Sequence, residues 1–566
     1  MALAGAGGAG EGVGGSSMSD AVVIGAGPNG LVGANRLADA GWDVVVLEAE
    51  DVPGGAVRTA EVTAPGFRND LFSAFYPLGV ASPPLADLEL ERHGLEWCRA
   101  PLVAAHPTPE GPTAVLSMAG AETEASLDRF APGDGEAWRH LYGLWERVGD
   151  QLLDALLRPF PPVLPGARLA AALGPSRALA FGRLALLDVR RLAEEEFRGE
   201  GGGLLLAGCA LHTDLSPEST GGALFGLLLC GLGQQRGFPV PAGGAQSLTD
   251  ALVRRLVERG GRIECGVRAT RVEVRSGRAV GVTAADGTTF DARRAVLADV
   301  GAPALYTSLV AAEHLPAGVL ADIARFEYGS GTVKVDWALD GPIPWLDTEV
   351  NRAGTVHVAD SLDELSAMSS QLTRGLLPAD PFLVMGQMTT ADPSRSPAGT
   401  EAAWAYAHVP REVKGDAGPD ALTGRWDDAE TQRFVARMEA RIERMAPGFG
   451  DRVLARHVFT PPSFEAANAN LVGGEINGGT AQLHQQLIFR PVPGLGRPET
   501  PVDRLFLASA SAHPGGGVHG ACGANAARAA LGRDRRPRRL VAAGAALTAV
   551  TGARRAVRRR RRAASK

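Results

Sequence analysis

At 566 residues the chain is long enough for two or three domains, and 45 % apolar with 21 % charged residues is the composition of a globular enzyme rather than a fibrous or disordered chain. The net charge of −6 hides a split: between Arg533 and Lys566 thirteen basic residues meet one acid, about +12, which leaves about −18 on the remainder. The five cysteines (Cys98, Cys209, Cys230, Cys265, Cys522) are odd in number and form no C-x-x-C pair, which argues against a disulfide framework or a zinc ribbon and for a reducing, cytoplasmic setting.

Residues 1–19 are rich in Gly and Ser, carry no secretory signal pattern and bury too little to order themselves; Met18, just before the first strand, is the expected start. The apolar run Ala21–Ile24 then leads into G-A-G-P-N-G at Gly25–Gly30, a helical stretch to Gly41, and a β-branched run Val44–Leu47 ending in Glu48. Strand, glycine turn, helix, strand and acid follow in the order a dinucleotide fold needs. Gly25 permits the tight turn, Gly27 lets the backbone approach a pyrophosphate, and Gly30 and Gly33 allow close helix–strand packing. The helix N-terminus offers N–H groups to the diphosphate, and Glu48 is set to accept from ribose hydroxyls. The candidate nucleotide contacts here are Gly25, Ala26, Gly27, Pro28, Asn29, Gly30, Glu48 and Ala49.

Next come Pro53, Gly54, Gly55, Arg58 and Thr59. This segment resembles the G-G-x-x-R-[ST] extension of the FAD-binding amine oxidase and phytoene desaturase superfamily. The resemblance implies FAD rather than NAD, with Gly54 and Gly55 close to the diphosphate and Arg58 near the flavin end; a surface salt bridge is the other reading of Arg58.

The stretch 96–236 is rich in helix formers and broken at Pro159–Pro165. Its apolar runs Gly203–Leu211 and Gly221–Gly233 are separated by the polar His212–Thr220, so they predict buried helices rather than a membrane span. Leu204–Leu206, Leu211, Leu224–Leu229 and Phe238 are candidate pocket wall, with core burial the competing reading of each. Pro241, Gly243 and Gly244 precede an amphipathic helix over Ser247–Arg259. Short strands follow at Arg262–Cys265, Ala269–Arg275, Ala279–Ala284, Thr289–Asp291 and Arg294–Asp299, with turns at Ser276–Gly277 and Asp286–Gly287. The same superfamily has this series, which implies that Val267 lies near the adenine. The stretch 311–455 mixes strands, Thr332–Ala338 and Thr355–Val358, with a helix over Glu430–Met445.

Near the C-terminus a strand over Leu505–Ala508 enters S-A-S-A-H-P-G-G-G-V-H-G at Ser509–Gly520, followed by a helix over Ala524–Leu531. The segment resembles the A-x-T-H-P-G-x-G-V flavin loop of bacterial phytoene desaturases. With Gly473–Gly479 and Gln482–Pro491 it is similar to the phytoene dehydrogenase-related branch that includes the pyridine nucleotide-disulfide oxidoreductase domain 2 proteins. The resemblance implies flavin contacts at His513, Pro514, Gly515, Gly516, Gly517 and Val518. Ser509, Ala512 and the third glycine, Gly516, depart from the pattern.

Outside residues 1–19 and the flavin-loop segment there is no second G-x-G-x-x-G for NAD(P)H, and no redox cysteine pair occurs, which points to oxygen or a quinone as electron acceptor. No H-E-x-x-H or G-x-S-x-G occurs, and the histidines show no ligand spacing, so no metal site and no catalytic side chain is assigned. His484, His513 and His519 read as satisfied loop histidines. The tail holds Leu540–Ala553 between arginine clusters; this predicts either an interfacial helix on an anionic membrane, at its inner face, or a solvated tail, and no nucleic acid partner.

The expected fold is α/β: a Rossmann-type FAD-binding domain (glutathione-reductase-like, second family) with an inserted mixed α+β substrate domain. The expected division is a leader (1–19), FAD-binding parts (20–95, 237–310, 456–532), substrate-domain parts (96–236, 311–455) and a basic tail (533–566). The expected activity is dehydrogenation or isomerisation of a small apolar, isoprenoid-like substrate by hydride transfer to flavin, through positioning rather than a base. An amine or amino-acid oxidase, and a flavoprotein with structural FAD acting through a protein partner, are the alternatives. The 5 % aromatic content gives an amine-binding cage little support, and the oligomeric state stays open.

Overall fold

The computed structural model describes residues 17–535, and two seven-stranded sheets organise them. The first sheet gathers three distant parts of the chain. Ser17–Ile24 lies parallel between Val44–Leu47 and Thr289–Ala298, Leu505–Leu507 joins the far side of Thr289–Ala298, and Arg262–Glu264 adds to Val44–Leu47. Ala269–Arg275 and Arg278–Ala284 extend the sheet as an antiparallel hairpin, turned at Ser276 and Gly277 with φ of 50° and 73°.

The parallel strands are covered on both faces, which is why they read as continuous apolar runs. Ala21, Val23, Val44 and Val46 pack on the helices Pro28–Asp39 and Gln246–Glu258 through Leu31, Leu37, Leu248 and Leu252. Val22, Ile24, Val45 and Leu47 meet the hairpin residues Val272 and Val282 and the helical turn Leu305–Leu309.

Two expectations are corrected here. The first strand begins at Ser17, inside the expected leader, because Ser17–Ser19 pair with Phe290–Ala292. Thr289–Ala298 is one ten-residue strand rather than two: its first half pairs with Gly281–Thr283 and its second with Leu505–Leu507 on one side, while Ser17–Ile24 runs along both halves on the other.

The second sheet runs Val453–Phe459, Gly331–Leu339, Glu401–Val409, Leu383–Gln387, Ala353–Val358, Leu102–His106, Ala114–Leu116. Its last two strands come from the stretch expected to be helical, and Val453–Phe459 runs past the expected boundary at 455. Side chains alternate across it. Val333, Val335, Trp337, Ala403, Ala405, Val356 and Val358 face the helix Asp428–Met445 through Phe434, Met438 and Ile442. The opposite face carries Thr332, Lys334, Trp404, Tyr406, Val384 and Thr355, and these line a cavity. The buried helices Gly201–Ala210 and Gly222–Arg236 form where the apolar runs place them, and close that face.

Candidate functional site

The glycine turn after the first strand exists because no other residue fits. Gly25 has φ of 93°, and a Cβ there would lie 2.8 Å from the Asp299 carbonyl oxygen; at Gly30 it would lie 2.1 Å from the Gly25 oxygen. Gly27 caps the helix and Pro28 occupies its first turn, where a missing N–H costs nothing. Glu48, 7 % exposed, accepts from the N–H groups of Ala26 (2.8 Å) and Glu50 (3.0 Å). A carboxylate offers about four acceptor positions, so two remain for ligand hydroxyls. Val267 donates its N–H to the Glu48 carbonyl (2.8 Å), with Ala49 half-buried between.

The second glycine pair folds onto the first. Gly54 and Gly55 have φ of 131° and 54°, and a Cβ on Gly55 would approach Gly27 Cα to 3.1 Å. Arg58 makes no ion pair among the described residues: it donates to the carbonyls of Gly55 (3.0 Å) and Ala467 (2.9 Å) and lies over Phe72. Thr59 donates to Asp70 (2.7 Å) and accepts from the Gln246 N–H. Both residues brace the loop from behind and lie outside the cavity lining.

The C-terminal loop closes the cradle. Gly515 and Gly517 have φ of 114° and 98°, and a Cβ on Gly516 would meet the Asn477 oxygen at 2.7 Å. Arg490, buried, holds the two C-terminal loops together, donating to the carbonyls of Asn477, Gly478, Thr480 and Ala510. His513 Nε2 bonds the Arg158 carbonyl, His519 Nδ1 accepts from the Ala521 N–H, and His484 pairs with Glu327 at the surface. Where the helix 521–535 crosses the first helix, a Cβ on Gly523 would lie 1.8 Å from the Asn29 oxygen. Gly27, Pro28, Asn29, Gly55, Pro514, Gly516, Gly517 and Val518 thus line one cavity of about 370 Å³, although nearly five hundred residues separate the outermost of them. Gly25, Ala26, Gly30, Glu48, Gly54, Val267, His513 and Gly515 stand behind or beside this wall.

Asp299, at the end of the Thr289–Ala298 strand, was not singled out by the sequence. Its carboxylate accepts from the Gly30 N–H (2.7 Å) at the helix N-terminus and lines the cavity. Burial raises its pKa to about 7, against the lowering effect of the Gly30 hydrogen bond, and nearby Glu48 adds to the rise.

The rest of the cavity is apolar and aromatic. Eight aromatic residues line it, Phe75, Phe225, Phe238, Trp404 and Tyr406 among them, so the low overall aromatic content misjudges the site. The Trp404 and Tyr406 rings stack 6.0 Å apart at 7°. Of the candidate wall residues, Phe225, Leu228, Leu229 and Phe238 line the cavity; Leu204–Leu206 and Leu211 are core. Lys334 is 2 % exposed on its side chain, pairs with Asp336, donates to the Asp70 carbonyl (3.0 Å) and lies 5.8 Å from the Trp404 ring centroid. Alternation of charge and apolar residues in T-V-K-V-D-W (332–337) was the signal that would have found it.

Cys209 and Cys230, spaced by no redox motif, are neighbours across the helix pair, and Cys209 lines the cavity. Burial drives the Cys230 thiol up, and contact with Cys209 adds to it, which opposes the thiolate a redox shuttle needs. Among the described residues no group of three or more His, Cys, Asp or Glu is arranged to hold a metal ion.

This geometry fits a dinucleotide whose reactive end reaches the aromatic chamber: a cradle that any Cβ would fill, N–H groups at a helix N-terminus, and a carboxylate with spare acceptor positions. The chain is 29 % identical to the pyridine nucleotide-disulfide oxidoreductase domain-containing protein 2 of Mus musculus over 90 % of this chain and 92 % of that one. It is 25 % identical to a neurosporene-forming phytoene desaturase of Rhodobacter capsulatus, over 88 % and 91 %. An oxidoreductase structure from Methanosarcina mazei matches the fold with a TM-score of 0.57 at 17 % identity, covering 90 % of this chain and 99 % of that one. The model of the flavin containing amine oxidoreductases matches residues 29–400, and the chain therefore belongs to that family as an FAD-dependent oxidoreductase.

Proposed function

We propose that the protein dehydrogenates or isomerises a neutral apolar substrate of isoprenoid kind. The observation that carries this reading is the single cavity that joins the glycine loops to a chamber of Leu228, Leu229, Phe225, Phe238 and Val384. Gly27, Pro28, Asn29, Gly55 and Gly516–Val518 would hold FAD, which would supply the hydride acceptor. The chain's own part is to fix the substrate's C–H bond within reach and keep water out, which the aromatic and leucine walls do. An amine oxidase draws support from the aromatic lining. Against an amine substrate, the lining carboxylate Asp299 stands at the glycine loops; against an amino acid, Lys334 is already paired with Asp336 and Arg490 with backbone carbonyls. Anaerobic mixing of the holoenzyme with isoprenoid hydrocarbons and alcohols, with amines and with NAD(P)H, read as flavin bleaching, tests the assignment. Bleaching by amines alone overturns it.

We also propose docking on an anionic membrane. The tail that first suggested it lies almost wholly outside the described residues; its first residue, Arg533, is tied to Asp503 (2.8 Å). Within them, residues 155–187 hold four arginines and no acid, on a body of strong negative charge, and expose Val163, Leu164, Leu179 and Leu186. No helix among the described residues is long and apolar enough to cross a membrane. Co-sedimentation with phosphatidylglycerol vesicles, lost on removing 533–566 and weakened by R168E/R177E, is the expected result; sedimentation unchanged in both overturns it.

A further inference from the structure

The glycine loops account for one end of the cavity, and the other end carries polar groups that an all-hydrocarbon substrate would leave idle. Thr332 and Thr355 both line the cavity, and the Oγ1 of each is buried without a hydrogen-bond partner among the described residues, on residues 1 % and 0 % exposed. A buried hydroxyl left unpaired is a standing cost, so one that faces a cavity marks a place where something polar binds. Thr332 belongs to the end nearer the loops, since its N–H lies against the Gly473–Gly474 turn. Thr355 is three strands further across the sheet, roughly 14 Å at about 4.8 Å per strand.

Two residues along from Thr355, on the same face, His357 Nε2 lies 2.8 Å from Nε2 of His212, which lines the cavity. One nitrogen donates and the other accepts, so the two rings cannot both be cations in this contact. Burial holds both rings well below the ordinary imidazole range, His212 at about 4 with His408 adding to the effect, His357 with His212 and His106 adding. His106 and His408 are buried in the same cluster and lowered by burial too. Among the described residues, an ammonium reaching this end finds no free carboxylate, and a carboxylate finds no free cation: Asp299 is at the glycine loops, and Lys334 and Arg490 are already bonded. A hydroxyl or carbonyl meets what is there, since Thr355 can donate or accept and His212 presents a neutral ring.

We infer that the substrate is an oxygenated apolar molecule, whose neutral hydroxyl or carbonyl is received by Thr355 and His212 at the end of the chamber remote from the glycine loops. The inference rests on the apolar-substrate reading and narrows it. The test uses the holoenzyme and a matched ten-carbon series, geraniol, citral, myrcene, geranylamine and geranic acid, each titrated against the absorption spectrum of the oxidised flavin. Geraniol or citral is expected to bind about tenfold tighter than myrcene, geranylamine or geranate. T355V, nearly isosteric, brings geraniol to within about threefold of myrcene, while T355S keeps the preference; H212F reduces it as well. Flavin content equal to wild type shows that each variant has folded. Equal affinity for geraniol and myrcene, tighter binding of the amine or acid, or a preference untouched by T355V and H212F overturns the inference while leaving the apolar reading intact. Silence of the spectrum toward the whole series removes both.

Discussion

At the glycine loops the chain gives up side chains so that backbone can meet backbone; at the second sheet it keeps them and turns them inward. In the first region a single added carbon has nowhere to go: 1.8 Å at Gly523, 2.1 Å at Gly30. In the second, Thr332, Lys334, Tyr406 and Thr355 line the cavity, and what matters is which groups are left unpaired. The first wall is therefore intolerant of size and indifferent to chemistry, whereas the second tolerates size and discriminates by chemistry.

The sharpest way to break this contrast is G523V, which drives a branched side chain into the Asn29 carbonyl. The expected result is complete loss of bound flavin, read from the visible-to-ultraviolet absorbance ratio of the purified protein; retention of stoichiometric FAD contradicts a rigid cradle. Next is R395A. Arg395 and Asp70 form an ion pair with both side chains 0 % exposed, and removing one charge strands the other, at a cost of about 3–5 kcal/mol seen as a lower urea midpoint. A smaller, cleaner effect is expected of L229W, which fills the chamber: KM for an apolar substrate rises about tenfold with the flavin spectrum unchanged. A change in FAD affinity instead would mean that the two walls are not independent.

The smallest effect belongs to D299N. The Asp299 carboxyl titrates near 7 in the folded protein and near its ordinary 3.8 when unfolded, so the native state binds the proton more tightly. The apoprotein then loses stability as pH rises from about 4 to about 7, and D299N flattens that slope in thermal melts. FAD binding at pH 8 should tighten by about threefold, since one negative charge leaves the neighbourhood of the diphosphate. Parallel melting curves for the two proteins across this window would refute the assignment.

The first region was legible because its constraints are local. G-A-G-P-N-G with its strands and Glu48 spells a turn, an approach and a cap within thirty residues, and each glycine sits where steric exclusion demands it. Even so, Asp299 escaped, because it meets Gly30 only through a sheet pairing 269 residues away. The second region was largely illegible. Its sheet takes strands from before 120 and after 330, and Glu401–Val409 and Leu383–Gln387 are central strands without polar alternation strong enough to flag them. His212, His357, His106 and His408 lack any spacing that announces a cluster; tertiary packing alone joins them. The strand at Thr289–Ala298 was divided wrongly because a change of partner mid-strand leaves no trace in composition.

The contact between Gly523 and Asn29 also orders events in time. A ribosome delivers the 521–535 helix long after the first helix, so the nascent N-terminal half waits with its nucleotide cradle open along one side. Closure of the cradle has to wait for that helix, and a chain cut short before it has its entry motif intact and nothing to shut the clasp.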